Sequence, residues 1–130
     1  MKVFTLKKRK DFLKAAKEFK IVTNGLILQA ALNLSTNKTN HCFVGYTATK
    51  KLGKAYIRNK IKRRLRAAVS LVFANNALAN INYVVIGRHN TSTMRFDYLV
   101  ENLKNALLSI NQQILDRKSF DDKKSYDLAD

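Results

Sequence analysis

The sequence predicts one α+β domain, a two-layer arrangement of helices on a small central sheet of about four strands. Three observations carry this. Several segments show the two-residue period or the short continuous apolar run of strands, others the 3–4 spacing of amphipathic helices, and the two kinds alternate along the chain. The 130 residues fit a single domain, and 46% apolar residues suffice for a core. The predicted order is α-β-β-(β)-α-β-α, the bracketed strand arising if the first strand region is split.

Residues 8–19, "KRKDFLKAAKEF", read as a short helix whose less polar side holds Phe12, Leu13, Ala15, Ala16 and Phe19. Gly25 to Leu34 is the first strand. Leu26, Leu28, Ala30, Leu32 and Leu34 fall on one face, and Ile27, Gln29, Ala31 and Asn33 on the other. After the polar connection "STNKTN", His41 to Ala48 reads as a hairpin partner of that strand. Ile81 to Arg88 is continuous and apolar, as buried strands tend to be. A final helix is expected to start near Thr93 as N-cap, with Phe96, Leu99, Val100, Leu103, Leu107, Ile110 and Ile114 as its stripe and its acids and amides facing water. Residues 116–130 are aperiodic and of mixed charge, and are expected to be a mobile tail.

Between the second and third strands lies "KKLGKAYIRNKIKRRLRAAV", residues 50–69. It holds nine Lys and Arg in its first 17 positions and no acid. Ile57, Ile61, Leu65, Ala68 and Val72 recur at spacings of four, four, three and four. At the helical repeat they fall within roughly an 80° sector, a narrow stripe for docking. The rest of the cylinder is basic. Arg58–Lys62, Lys62–Arg66 and Lys60–Arg64 are like-charge i,i+4 pairs, which together cost an isolated helix ~1 kcal/mol. A solvated surface helix normally mixes signs, so a multiply anionic partner is expected. Arg58, Arg63, Arg64 and Arg66 offer planar forks for phosphates, and Asn59 adds a neutral donor and acceptor.

The charge of the whole chain agrees. Net charge is +16, and pI ≈ 10.2 points to a polyanion such as nucleic acid. Residues 1–96 carry 20 Lys/Arg against Asp11 and Glu18 alone, while residues 97–130 carry five against seven acids. No carboxylate occurs from residue 19 to residue 96. A metal-dependent nuclease needs clustered carboxylates, and a metal-free one a general acid–base pair. His41 and His89, a strand start and a strand end, are the only histidines, so no catalytic residue is expected. A single cysteine, Cys42, excludes an internal disulfide and suits a reducing cytoplasm, with a buried thiol. No apolar run suits a signal peptide or a membrane span.

The stretch 50–69 resembles the signature of the bacterial ribonuclease P protein component. Two lysines and a glycine (Lys50, Lys51, Gly53) lead into a helix with Arg58-Asn59, Lys62-Arg63 and then Arg66. "LKKRKDF", Leu6 to Phe12, resembles the family's opening, and the likeness covers about residues 4–115. It implies a left-handed β-α-β crossover through the basic helix, against the usual hand of such units. It implies a ribonucleoprotein subunit whose partners are the ribonuclease P RNA and precursor tRNA, with neither a membrane nor a small-molecule substrate. The holoenzyme removes the 5′ leader by phosphodiester hydrolysis, and the RNA holds the catalytic Mg²⁺. Carried over position by position, RNA docking falls to Lys50, Lys51, Arg58, Asn59, Lys62, Arg63 and Arg66. A leader cleft falls to Phe12, Ile27 and Gln29. Phe12 suits a stacking face or a core aromatic equally. Lys54, Tyr56, Ala16 and Gln29 depart from the family's usual Asn, Val and two aromatics; Tyr56 suits either an RNA contact or a cover for the helix start. A ribosomal-type RNA-binding protein without a processing role is the alternative, and a major-groove DNA binder a more distant one.

Overall fold

The structure, a computed structural model, describes residues 1–33 and 39–128, with side chains up to residue 119. Most of the polar connection after the first strand therefore lies outside the described residues, as does Leu34. The elements are β1 (Lys2–Thr5), α1 (Arg9–Glu18), β2 (Phe19–Val22), β3 (Leu26–Leu32), β4 (His41–Thr47), α2 (Ala55–Asn76), β5 (Ile81–Gly87) and α3 (Phe96–Leu128). Short 3₁₀ turns, Lys50–Leu52 and His89–Ser92, precede α2 and α3.

The α+β class and the helix–strand alternation are as expected, but the sheet has five strands, in the order β1-β4-β5-β3-β2. The two additional strands are four residues each and sit at the two edges. All of β1 is exposed, so its sequence carries no burial period to read. In β2, Phe19 does not close α1. Its backbone is extended, it pairs with Ala30, and its ring enters the main core. β4 is also not a hairpin partner of β3. The wholly apolar β5 lies between them, antiparallel to β3 and parallel to β4. A strand buried on both faces takes the centre of a sheet, and α2 then becomes the crossover joining parallel neighbours.

Helices cover both faces rather than one. On the first, α2 and α3 close a core that includes Leu26, Leu28, Val44, Ile61, Leu65, Phe73, Tyr83, Leu103 and Ile110. On the other, α1 alone closes a small cluster of Leu6, Ala15, Ala31 and Val84 with Phe12, Phe43 and Ile86 beside it. The predicted stripe of α2 is the buried one, Ile57 being half-buried and the other four buried.

The last helix begins at Phe96, not near Thr93, because the preceding residues form a 3₁₀ turn fastened by Thr91. The buried Thr91 hydroxyl donates to Gly25 O and accepts from Arg88 N. Nor do all the amides of α3 face water. Asn111 is buried, accepts from the Tyr83 hydroxyl at 2.6 Å, and donates to Asn76 O at 2.7 Å. That network ties α3 to the end of α2 and to the central strand. Helix α3 itself continues to Leu128, through most of the aperiodic stretch.

Candidate nucleic-acid interface

Gly53 sets the entry of the basic helix. Its φ of 133° is a backbone state that L side chains rarely adopt, and a Cβ there would lie 2.9 Å from Ile57 Cδ1. The two lysines before it are exposed on the 3₁₀ turn. Helix α2 then starts with neither a side-chain cap nor an acid in its first turn, so its positive dipole end adds to Lys50, Lys51 and Lys54.

The residues carried over by resemblance gather on one side of α2. Asn59, Arg63 and Arg66 are exposed, while Arg58 and Lys62 are half-buried along the flank toward β4. Arg66 places its guanidinium 5.3 Å from the centre of the Tyr46 ring, a cation–π contact that steadies it beside the sheet. Burial pushes the Tyr46 hydroxyl up to about 12, and Arg66 pulls it back only in part. The buried Nε of Arg58 meets no acceptor among the described residues. The one ion pair among the described residues, Arg95–Asp97, lies elsewhere, so no carboxylate of the described residues is paired with the row.

Arg64 differs from its neighbours. It donates to Thr91 O at 2.8 Å and to Met94 O, with Phe96 beneath its guanidinium. It braces the turn before α3 and is not presented to phosphates, as residue type alone suggested. Two further groups join the surface. Tyr56 is 71% exposed, on the outer face it shares with Lys60 and Arg63 one and two turns on. Lys51 shares a hollow of about 270 Å³ with Arg88 and His89. The basic "GRH" at the end of β5 was the sequence signal for the second.

The α1 face of the sheet carries three cross-strand rungs. They are Phe4–Phe43–Asn82–Ala31, then Gly45–Val84–Gln29, then Thr47–Ile86–Ile27. Helix α1 lies across the middle rung. The Phe12 ring sits on Gly45, where an added Cβ would come within 2.4 Å of it, and Ala15 is buried. Phe12, Ile27 and Gln29 thus share one face, with Val84 and Ile86 between them. All three are half-buried, and Phe12 packs in the small core. The basic half of α2 lies behind that same end, since Ile61 packs on Gly87.

The residues present do not fit a metal site. Among the described residues no three His, Cys, Asp or Glu side chains gather. His41 and His89 stand at opposite ends of the sheet, at the start of β4 and beyond the end of β5. Cys42 is buried, which pushes its thiol up to about 11 and makes it a poor nucleophile. No helix among the described residues is long and apolar enough to cross a membrane.

Comparison with known proteins agrees with this geometry. Residues 1–111 match the family model for Ribonuclease P. The chain is 45% identical over 104 residues to the ribonuclease P protein component of Paramagnetospirillum magneticum, covering 78% of each chain. It is 41% identical over 103 residues to that of Gluconacetobacter diazotrophicus, covering 78% of this chain and 86% of the relative. Among solved structures it is similar to the RNase P protein of Thermotoga maritima, with 26% identity, a TM-score of 0.68, and 82% and 96% of the two chains covered. The Staphylococcus aureus RNase P protein gives 27%, 0.67, 82% and 94%. The basic crossover helix, the five-stranded sheet and these matches together establish that the chain belongs to the ribonuclease P protein family.

Proposed function

We propose that this chain is the protein subunit of a bacterial ribonuclease P, assisting endonucleolytic removal of the 5′ leader from precursor tRNA. The observation that carries the reading is the row of cations on one side of α2, with no carboxylate of the described residues paired with it. Lys50, Lys51, Arg58, Asn59, Lys62, Arg63 and Arg66 dock the RNA subunit through its phosphates and sugars. Phe12, Ile27 and Gln29 hold the leader over the middle and third rungs, toward the end of the sheet that also carries the basic helix. The RNA supplies the active site and the Mg²⁺ that hydrolysis needs; the protein neutralises phosphate charge and positions the strand. Tyr56 joins the docking surface as a stacking face. The cytoplasm, where precursor tRNA is made, is its place.

The test is reconstitution with a bacterial ribonuclease P RNA at low Mg²⁺, assayed on precursor tRNA with and without a leader. A gain in cleavage over RNA alone, larger for the substrate with a leader, is expected. No gain would remove the reading. Arg63→Ala and Arg66→Ala should each weaken docking and shallow its salt dependence by about one counterion.

A further inference from the structure

A well-formed cavity lies away from the leader side of α1. It is a groove of about 710 Å³ on the opposite flank, over the first rung, within the ~300–1,000 Å³ range of ligand sites. Its walls include Lys7, Lys8, Lys10 and Lys14 from the α1 side and Phe43 and Asn82 from the sheet; Phe12, Ile27 and Gln29 do not line it. We propose that this groove binds a second unpaired RNA strand, separate from the leader, so that α1 is a ridge between two RNA tracks. The proposal rests on the ribonuclease P reading for its partner and adds a site to it.

Three features of the groove point to a single-stranded polynucleotide. The first is charge. Lys7, Lys8 and Lys10 are exposed and have no ion pair among the described residues, and only Lys14 is engaged, donating to Leu32 O at 3.0 Å. The single acid of the lining, Asp11, leaves a clear positive excess. The second is an aromatic platform. Phe43 lines the groove, and next to it on the same rung, outside the lining itself, Phe4 is 43% exposed, 5.9 Å from Phe43 and 4.7 Å from His41 between ring centres. Lysines beside open aromatic faces are the elements of sequence-tolerant single-strand sites. The third is a polar floor, where the Asn33 side chain donates to that of the buried Asn82 at 3.3 Å.

The groove is not an outlying part of the α2 surface. The basic half of α2 sits over the far end of the strands, and a seven-residue strand is about 20 Å long. At physiological salt that is more than two screening lengths of about 8 Å, so the groove lysines serve a local ligand.

The chain has no tryptophan, so single replacements report locally. Phe4→Trp places a fluorophore on the groove rim and Phe12→Trp one beside the leader cleft. The probe for the free protein is a nine-nucleotide oligouridylate at 150 mM salt, with a nonaglutamate peptide as anionic control. Saturable quenching of Phe4→Trp by the RNA and not by the peptide is expected. Adding Lys7→Ala and Lys10→Ala should weaken it about tenfold, whereas Arg63→Ala should leave it unchanged. In a second arm Phe4 is retained and Phe4→Ala is compared with it by anisotropy of labelled RNA, with a loss of about fivefold expected. In the reconstituted holoenzyme, Phe4→Trp should be silent to addition of a leader while Phe12→Trp responds.

Three results would overturn the proposal: no quenching at Phe4→Trp, equal quenching by the peptide, or a Phe4→Trp signal that follows the leader. No quenching of free Phe4→Trp by the oligouridylate, in a variant whose holoenzyme still cleaves normally, defeats the groove alone. Quenching there without any gain in cleavage defeats the ribonuclease P reading instead.

Discussion

The two faces of the sheet are built to different standards. Against α2 and α3 lies a deep core with Leu65, Ile61, Phe73 and Tyr83 fully buried, sealed by the Tyr83–Asn111–Asn76 network. Against α1 lie four buried residues and three half-buried neighbours, two of them aromatic. The difference separates two tasks. The thick face sets stability and fixes the direction of the basic helix. The thin face leaves Phe12, Ile27 and Gln29 half-buried on one flank of α1 and a cavity on the other, the two places proposed for RNA.

The largest expected effect lies on the thick face. Leu65→Ala removes a fully buried side chain from the stripe of α2 and should cost ~2–5 kcal/mol in a denaturant titration. A loss under ~1 kcal/mol would mean that α2 is not anchored there.

Two glycines sharpen the contrast. A Cβ at Gly87 would meet Ile61 Cγ2 at 2.3 Å, inside the thick core, and Gly87→Ala should cost ~1–3 kcal/mol. A Cβ at Gly45 would meet the half-buried Phe12 ring, which can swing outward. Gly45→Ala should therefore cost less in stability but reduce discrimination between substrates with and without a leader. Equal stability losses and unchanged discrimination would erase the distinction between the faces.

Neighbouring arginines on α2 make a finer test. Arg64→Ala removes charged hydrogen bonds to Thr91 O and Met94 O, so stability should fall by about 1–2 kcal/mol with the RNA salt slope unchanged. Arg63→Ala should do the reverse, lowering the slope and leaving the melting temperature in place. Matching behaviour of the two would remove the division between a brace and a docking group.

The smallest effect is alkaline. Cys42, held neutral by burial, ionises near 11 in the folded chain against an ordinary 9.0. Its contribution is complete below pH 9 and fades as pH rises toward 11, because the unfolded thiol ionises first. The denaturation midpoint should drop between pH 8 and 10.5, and Cys42→Ala should drop less. Identical slopes would mean that the thiol is not secluded.

Much of this was legible in the sequence. The spacing of Ile57, Ile61, Leu65, Ala68 and Val72 determined both that a helix forms and which side is buried, since one helix angle per residue fixes both. The absence of carboxylates from residue 19 to 96 determined that its charge is not neutralised locally. The family likeness in residues 50–66 is the source of the proposed docking set, whose α2 members the structure gathers on one side of the helix. Only the tertiary structure decided the rest. It drew in β1 and β2, short edge strands whose pairing depends on partners distant in sequence. It set β5 between β3 and β4, and it put α1 on the face opposite α2. It turned Arg64 inward while Arg63, one residue away, faces solvent. Periodicity states which residues share a side of an element; which neighbour that side meets is fixed by contacts between segments far apart in the chain, and no local pattern encodes them.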